Sequence, residues 1–340
     1  MAGANRKALL ISCGKILVPR GIRLPVLMSR STAGPGAGGH SLFFRIGGSL
    51  IRLEVVRDGE APLSLEERDE GYMILSGRKV VADDVQFVQA GMHAPSQAFI
   101  NVHDECRYHC AFCTLHGSKG VKGPSISRWG ELISDALRNG RADAVAVTTG
   151  IKGSAGASTR AIAKLVRGIR KNFPSVPIGV EPYTTSPKDL ALLKRVGADE
   201  LKLNIQCATQ ALLKKVCPGF DWGGIWKALE SGVELFGRGR VCSNLILGLG
   251  ETDAEVKKAV EMLALLGVAV NLRPLRLNAI NKPALKKALG REPRTVPPAR
   301  LLRLALAQKQ SFQKYGIDPS VFRTMCHRCT ACDLEPMRDI

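Results

Sequence analysis

Between residues 97 and 275 short β-type runs alternate with longer amphipathic runs, and few folds accept that rhythm. The β-type runs are 97–103, 144–148, 178–182, 200–206, 241–247 and 268–275, and helical periodicity occupies 128–139, 158–172, 187–196, 225–236 and 253–266. Strands recurring at such spacings with a helix between them pair in parallel through right-handed crossovers. Local punctuation agrees: Thr252 and Glu255 are set for a capping box, and Gly197 and Gly267 stand at plausible positions just past helix ends. Six such units predict an α/β fold, a partial (βα)6 TIM-like barrel or an open sheet, with the active site at the carboxyl ends of the strands.

The flanks differ. Residues 41–94 are short and strand-like, with partial alternation over 42–56, and predict a small N-terminal β-rich layer. Beyond residue 280 the pattern gives helices at about 283–289 and 298–315, the second started by Pro297-Pro298 and stopped by Gly316, then a cysteine-rich tail. The expected division is 1–40, 41–94, 95–280 and a C-terminal helical, cysteine-rich extension over 281–340. The first 40 residues lack any acid and end in a Gly/Ser/Ala-rich run. They are read as flexible, transit-like, or preceding a start at Met28, and are expected outside the fold.

A chain of 340 residues, 45% of them apolar, is long enough for a sizeable core. Its longest nearly apolar stretch, 259–272, is interrupted by Glu261 and falls short of the roughly 18 residues a bilayer span needs. Lys and Arg number 49 against 30 acids, a net charge of +19, which predicts attraction to nucleic acid, an anionic small molecule or an acidic protein. Ten cysteines are too few for a disulfide-stapled scaffold of this length, so thiol or metal chemistry in a reducing, cytoplasmic setting is expected.

The cysteines are grouped. Cys106-Arg-Tyr-His-Cys110-Ala-Phe-Cys113 follows the first β-type run directly, and three thiolates on so short a loop can hold three irons of a cubane cluster, leaving the fourth open. A zinc site completed by His103, His109 or His116 is the competing reading. Cys326-His-Arg-Cys329-Thr-Ala-Cys332 can hold a second cluster, or a zinc knuckle using His327. Cys242 reads as a small core residue. Cys207 and Cys217 flank the fourth βα turn and are expected not to be ligands. Arg273 and Arg276, after the sixth β-type run, suit a carboxylate or a cluster environment, with a surface salt bridge as the plain alternative.

The Cys-x3-Cys-x2-Cys loop with Phe112 before its third cysteine resembles the radical S-adenosylmethionine enzymes, over about residues 97–275. The resemblance implies a [4Fe-4S] cluster on Cys106, Cys110 and Cys113, and S-adenosylmethionine chelating the open iron. It also implies reductive cleavage to a 5′-deoxyadenosyl radical, and adenine near the Phe112 backbone. Where such enzymes carry Gly-Gly-Glu for the methionyl amine, this chain has Thr148, Thr149 and Gly150. Asn244 to Glu251, with Gly248, is similar to the adenine-side motif of the fifth strand, with Asn replacing its first Gly. Glu181, Asn204 and Gln206 fall where ribose and methionyl contacts are placed, although a polar residue at a βα junction is also a common cap or turn former.

A second, auxiliary [4Fe-4S] cluster on Cys326, Cys329 and Cys332, together with a C-terminal part resembling biotin synthase, fits sulfur insertion at unactivated carbon. The most specific resemblance is to archaeal two-protein lipoyl synthases. It implies an octanoyl chain on an acidic lipoyl-carrier protein, a sister radical enzyme, and an electron donor such as ferredoxin or flavodoxin. A mutase resembling methylornithine synthase, a cofactor-assembly methylase and a tRNA-modifying radical enzyme stand as alternatives. The non-enzyme alternative is a zinc-dependent nucleic-acid-binding protein. No membrane association is expected.

Overall fold

The computed structural model describes residues 2–31, 34, 39–115 and 123–340. Helix α1 (Ala2–Cys13) opens the chain, and Gly14, at φ +68°, turns it into strand β1 (Lys15–Leu17). There follow β2 (Ser29–Arg30), β3 (His40–Ile46), β4 (Ser49–Val56), β5 (Leu63–Arg68), β6 (Gly71–Ser76), β7 (Lys79–Ala82) and β8 (Gln86–Val88). These strands form one mixed sheet in the order β2-β3-β4-β1-β5-β6-β7, with β8 on β3. The β-rich layer expected over 41–94 is therefore present, but its middle strand, β1, comes from the segment set aside and runs parallel to both β4 and β5.

The reading of the first 40 residues as lying outside the fold is corrected on a second ground. Helix α1 buries Ala4, Ala8, Leu10 and Ile11 against β4 and a C-terminal helix. Its Lys7 is 1% exposed and donates to Asp339 Oδ2 and to the Thr330 carbonyl, both at 2.7 Å. The acid-free composition hid this, because the partners of Lys7 lie more than 300 positions away.

After β9 (His93–Ala94), six strands pair in parallel and in sequence order. They are β10 (Gln97–Asn101), β11 (Ala144–Thr148), β12 (Ile178–Glu181), β13 (Glu200–Lys202), β14 (Val241–Leu247) and β15 (Val268–Pro274). The sheet curls into a half-barrel. Its crossovers are α2 (Ile126–Arg138), α3 (Ala155–Asn172), α4 (Pro187–Arg195), α5 (Gln210–Val216), α6 (Trp222–Phe236) and α7 (Asp253–Leu266). The capping box is formed: Thr252 Oγ1 accepts from Glu255 N, and Glu255 accepts from Thr252 N. Gly267 closes α7 in the left-handed conformation, at φ +99°. The fourth strand stops at Lys202 rather than at residue 206, because Gln206 takes φ +60° and pairs with β14 only through an isolated bridge at Leu245. Helix α5, capped by Thr209, had no counterpart in the periodicity.

The C-terminal extension has α8 (Asn281–Leu289), α9 (Pro298–Tyr315), α10 (Met325–Cys329) and α11 (Pro336–Asp339). Between α9 and α11 the chain turns back into the half-barrel and lies on its inner face. Barrel interiors are ordinarily filled by branched apolar side chains. Here Gln97, Glu200 and Asn271 are buried instead and receive the returning tail. Gln97 bonds both the N–H and the carbonyl of Met325, at 2.6 and 3.1 Å. Asn271 donates to Asp333 at 2.8 Å.

Removing one partner of a buried ion pair leaves an uncompensated charge, so Lys7→Ala is expected to cost about 3–5 kcal/mol in urea unfolding. The paired apolar change of Lys7→Met with Asp339→Leu recovers most of that loss. An α1 lying outside the fold would leave both curves unchanged.

Candidate active site

The loop bearing Cys106, Cys110 and Cys113 leaves the carboxyl end of β10 and is fixed at several points. Arg107 donates its backbone N–H to Ile151 O (3.1 Å) and its guanidinium to Gly153 O (2.6 Å), and Ala111 N donates to Val216 O (2.7 Å). The buried Asn281 amide holds the Phe112 carbonyl at 3.0 Å. Gly150 passes directly beneath: its N–H reaches His103 O (3.0 Å) and Asn101 Oδ1 (3.2 Å), and a Cβ there would stand 2.1 Å from Glu105 O. The glycine of the Thr148-Thr149-Gly150 segment is thus a steric requirement of the cysteine loop.

The strand-end residues singled out from the sequence form a connected row. Glu181 Oε1 accepts from Asn204 Nδ2 (2.6 Å) and pairs with Lys202 Nζ (3.2 Å). Asn204 Oδ1 accepts from Asn244 N (2.9 Å), and Asn244 Oδ1 faces Arg273 Nε (3.4 Å). Phe112, Thr148, Thr149, Gly150, Glu181, Asn204, Gln206 and Asn244 all line one cavity of about 270 Å³ together with Cys106, Cys110 and Cys113. Gly248 does not line it. Its N–H, with those of Leu249 and Gly250, is taken by the buried Glu251 carboxylate at 2.7–3.0 Å, and Arg300 pairs with Glu251 at 3.0 Å. The Gly248 N–H is thereby committed to closing its own loop.

The tail reaches the same cavity, where Cys326 and Cys332 line the wall. Cys326 Sγ lies 3.2 Å from Lys202 Nζ. Burial would lower the Lys202 pKa, but the Cys326 thiolate and the Glu181 carboxylate outweigh it and raise it, so the ammonium stays charged. Burial would likewise raise the Cys332 thiol, yet Arg276, Arg273 and Arg52 outweigh it and bring it down. At the loop, burial pushes Cys113 up to about 12. Such a thiol loses its proton to a metal rather than to water.

A single zinc gathers its donors about 2.3 Å from one point. Among the described residues no three His, Cys, Asp or Glu side chains are drawn together in that way, and His116 lies outside the described residues. A cube instead spreads its thiolates over separate irons. Cys207 and Cys217 are buried beside Cys110 in an apolar cluster, and burial pushes both thiols up, as it does Cys113.

Residues 100–263 match the family model of the radical SAM superfamily. The chain belongs to that superfamily. Among solved structures it is similar to the FeFe-hydrogenase maturase HydG from Carboxydothermus hydrogenoformans, at 13% identity and a TM-score of 0.52, over 64% of this chain and 52% of that one. It is also similar to methylornithine synthase (PylB), at 15% identity and a TM-score of 0.51, over 63% of each chain. The chain thus spans about half of the first and less than two thirds of the second, and both likenesses concern the fold. No curated protein sequence matches the chain.

This radical SAM chain is expected to carry a [4Fe-4S] cluster and S-adenosylmethionine, and its residues fit them: three thiols on an anchored loop, a glycine cradle beneath, and a polar row across the cavity. Sequence reasoning missed Lys202, Arg52 and the aromatic wall of Tyr108, Tyr183 and Phe220, whose rings lie 4.2–5.7 Å apart. The signal for the first two was available: each is a cation set directly between two apolar residues of a strand run, Arg52 between Ile51 and Leu53 and Lys202 between Leu201 and Leu203.

Gly179 of β12 faces the tail, and a Cβ there would stand 2.1 Å from Thr324 Oγ1 and 2.7 Å from Met325 Cε. Gly179→Ala is therefore expected to expel the tail and open Cys326, Cys329 and Cys332 to thiol-labelling reagents, while the loop cluster persists. Gly150→Ala should instead lose the loop cluster and leave the tail protected. Thiol labelling with iron and sulfide content of the two variants checks both outcomes.

Proposed function

We propose that this radical SAM enzyme inserts sulfur into an unactivated C–H bond, with an auxiliary cluster on Cys326, Cys329 and Cys332 as the sulfur source. The observation that carries the reading is the shared cavity: Cys326 and Cys332 open onto the same space as the Cys106–Cys113 loop. A cluster serving only as a structural staple has no reason to face the reacting space. When bound, the loop cluster with S-adenosylmethionine would supply a hydrogen-abstracting radical, and the tail cluster would supply both the sulfide and the ferric iron that takes up the electron released as the carbon–sulfur bond forms.

The chain's own residues supply position and shelter. Glu181, Asn204 and Asn244 present two carboxylate oxygens and two amides in a fixed row for ribose hydroxyls and the methionyl amine, each oriented by the next. Tyr108, Tyr183 and Phe220 close one side with apolar surface, which keeps water from quenching a reactive carbon. Lys202 lies between Glu181 and Cys326 and pairs directly with Glu181. Electrons would come from a donor of the ferredoxin or flavodoxin class.

Anaerobically reconstituted protein should show two cubes by Mössbauer spectroscopy, and one after Cys326, Cys329 and Cys332 are changed to Ala. The tail variant should still release 5′-deoxyadenosine with reductant. Replacing Cys106, Cys110 and Cys113 should abolish that release. A single cube in both wild type and tail variant would sink the sulfur-donor reading and leave a radical mutase or methylase.

A further inference from the structure

Four cations line the cavity: Lys202, Arg52, Arg273 and Arg276. Two have carboxylate partners. Lys202 pairs with Glu181 at 3.2 Å, and Arg273 lies 3.7 Å from Asp333. Among the described residues Arg52 and Arg276 make no ion pair with any acid. Arg52 is 6% exposed, its guanidinium touches Ser31 Oγ and the Cys332 thiol, and its Nε is buried without a hydrogen-bond partner. Arg276 leans on the Arg52 carbonyl at 3.4 Å, so two guanidiniums share one end of a secluded space.

Two like charges in a low-dielectric cavity are costly unless an anion joins them. The proposed tail cluster answers only part of this, because a cube on three thiolates carries about one net negative charge. One guanidinium is left over.

We propose that Arg52 and Arg276 form an oxyanion site at the tail end of the cavity, and that the substrate carries a carboxylate or phosphate head group seated there. This rests on the sulfur-insertion reading and deepens it by naming the substrate class. The head group would be held at the Cys332 end while the rest of the molecule extends toward the Cys106–Cys113 loop, past Phe99 and Leu203, which also line the cavity. A planar, two-donor fork is the side chain suited to such a group. The site also gives the N-terminal sheet a role in recognition, since Arg52 belongs to β4. An octanoyl chain in amide linkage to a carrier lysine brings no such charge and is the discriminating comparison.

The test is equilibrium binding to the reconstituted holoenzyme with S-adenosylmethionine present. The probes are short- to medium-chain carboxylates, matched alkyl phosphates, matched primary amides, and an octanoyl-lysine peptide. An acid or a phosphate should bind at least about tenfold more tightly than its amide, and which of the two wins identifies the head group. Arg276→Gln and Arg52→Gln should each erase that preference, and Arg276→Lys should restore part of it, with cluster content confirming that each variant is intact. Amides binding as well as acids, the peptide binding better than any acid, or a preference surviving in Arg276→Gln would overturn the proposal. Two cubes and reductive cleavage without an anion preference would sink this inference alone. An anion preference retained in a protein lacking the tail cube would sink only the sulfur-donor reading.

Discussion

Glu200 is wholly buried, and its carboxylate takes the backbone N–H of Arg323 at 2.8 Å and of Thr324 at 3.0 Å, the Thr324 hydroxyl, and the Arg240 guanidinium at 3.1 Å. An ionised carboxylate is tolerated in a core only when its lone pairs are filled in this way. The clamp fixes where the tail enters the half-barrel, and Gln97 fixes the next residue by bonding both backbone groups of Met325. From that point the register is set, so that Cys326 meets Lys202 and Asp333 meets Asn271. A cysteine motif near the end of the sequence thereby becomes one wall of a cavity formed by the middle of it.

The same contacts explain why the inner face of the sheet is polar. Along β13, Glu200 and Lys202 point inward on alternate positions, and along β15 Asn271 and Arg273 do the same. A half-barrel has an open seam, and an inner face of branched apolar side chains would have no place for a backbone segment with unsatisfied N–H and carbonyl groups. Side chains that accept and donate make the insertion favourable. Gly179 supplies the space, since any Cβ there would overlap Thr324. The outward face keeps the ordinary apolar packing, with Ile178 and Val180, Leu201, and Val268 and Val270 fully buried within the main core.

Local signals were legible in the sequence and distant partnerships were not. The strands at 144–148 and 241–247 and the helix at 253–266 coincide with the observed elements, because alternation, β-branching and caps are properties of adjacent residues. The two cysteine groups could be read for the same reason. That they share one cavity could not, since it depends on a clamp between Glu200 and Thr324, which are 124 positions apart. Helix α1 was dismissed on composition: Lys7 resembles a solvated charge until its contact with Asp339 is known. At Gly248 the sequence did not reveal that the motif glycine's N–H is used locally by Glu251.

Lys202 has the most consequential position of the residues that sequence reasoning passed over. Its ammonium is within 3.2 Å of both Glu181 and Cys326, which connects the row facing the loop cysteines to the tail. In water a charge so placed would be shared with solvent and the two ends would scarcely sense one another. In a site where Lys202 is 2% exposed, the effective dielectric is low and the Coulomb term is several times larger. A change in charge at Cys326 therefore alters how firmly Lys202 holds Glu181, and a ligand drawing on Glu181 alters the field at Cys326. The coupling is reciprocal because one cation serves both partners. The cavity is electrostatically a single unit, although its walls come from segments far apart in the chain.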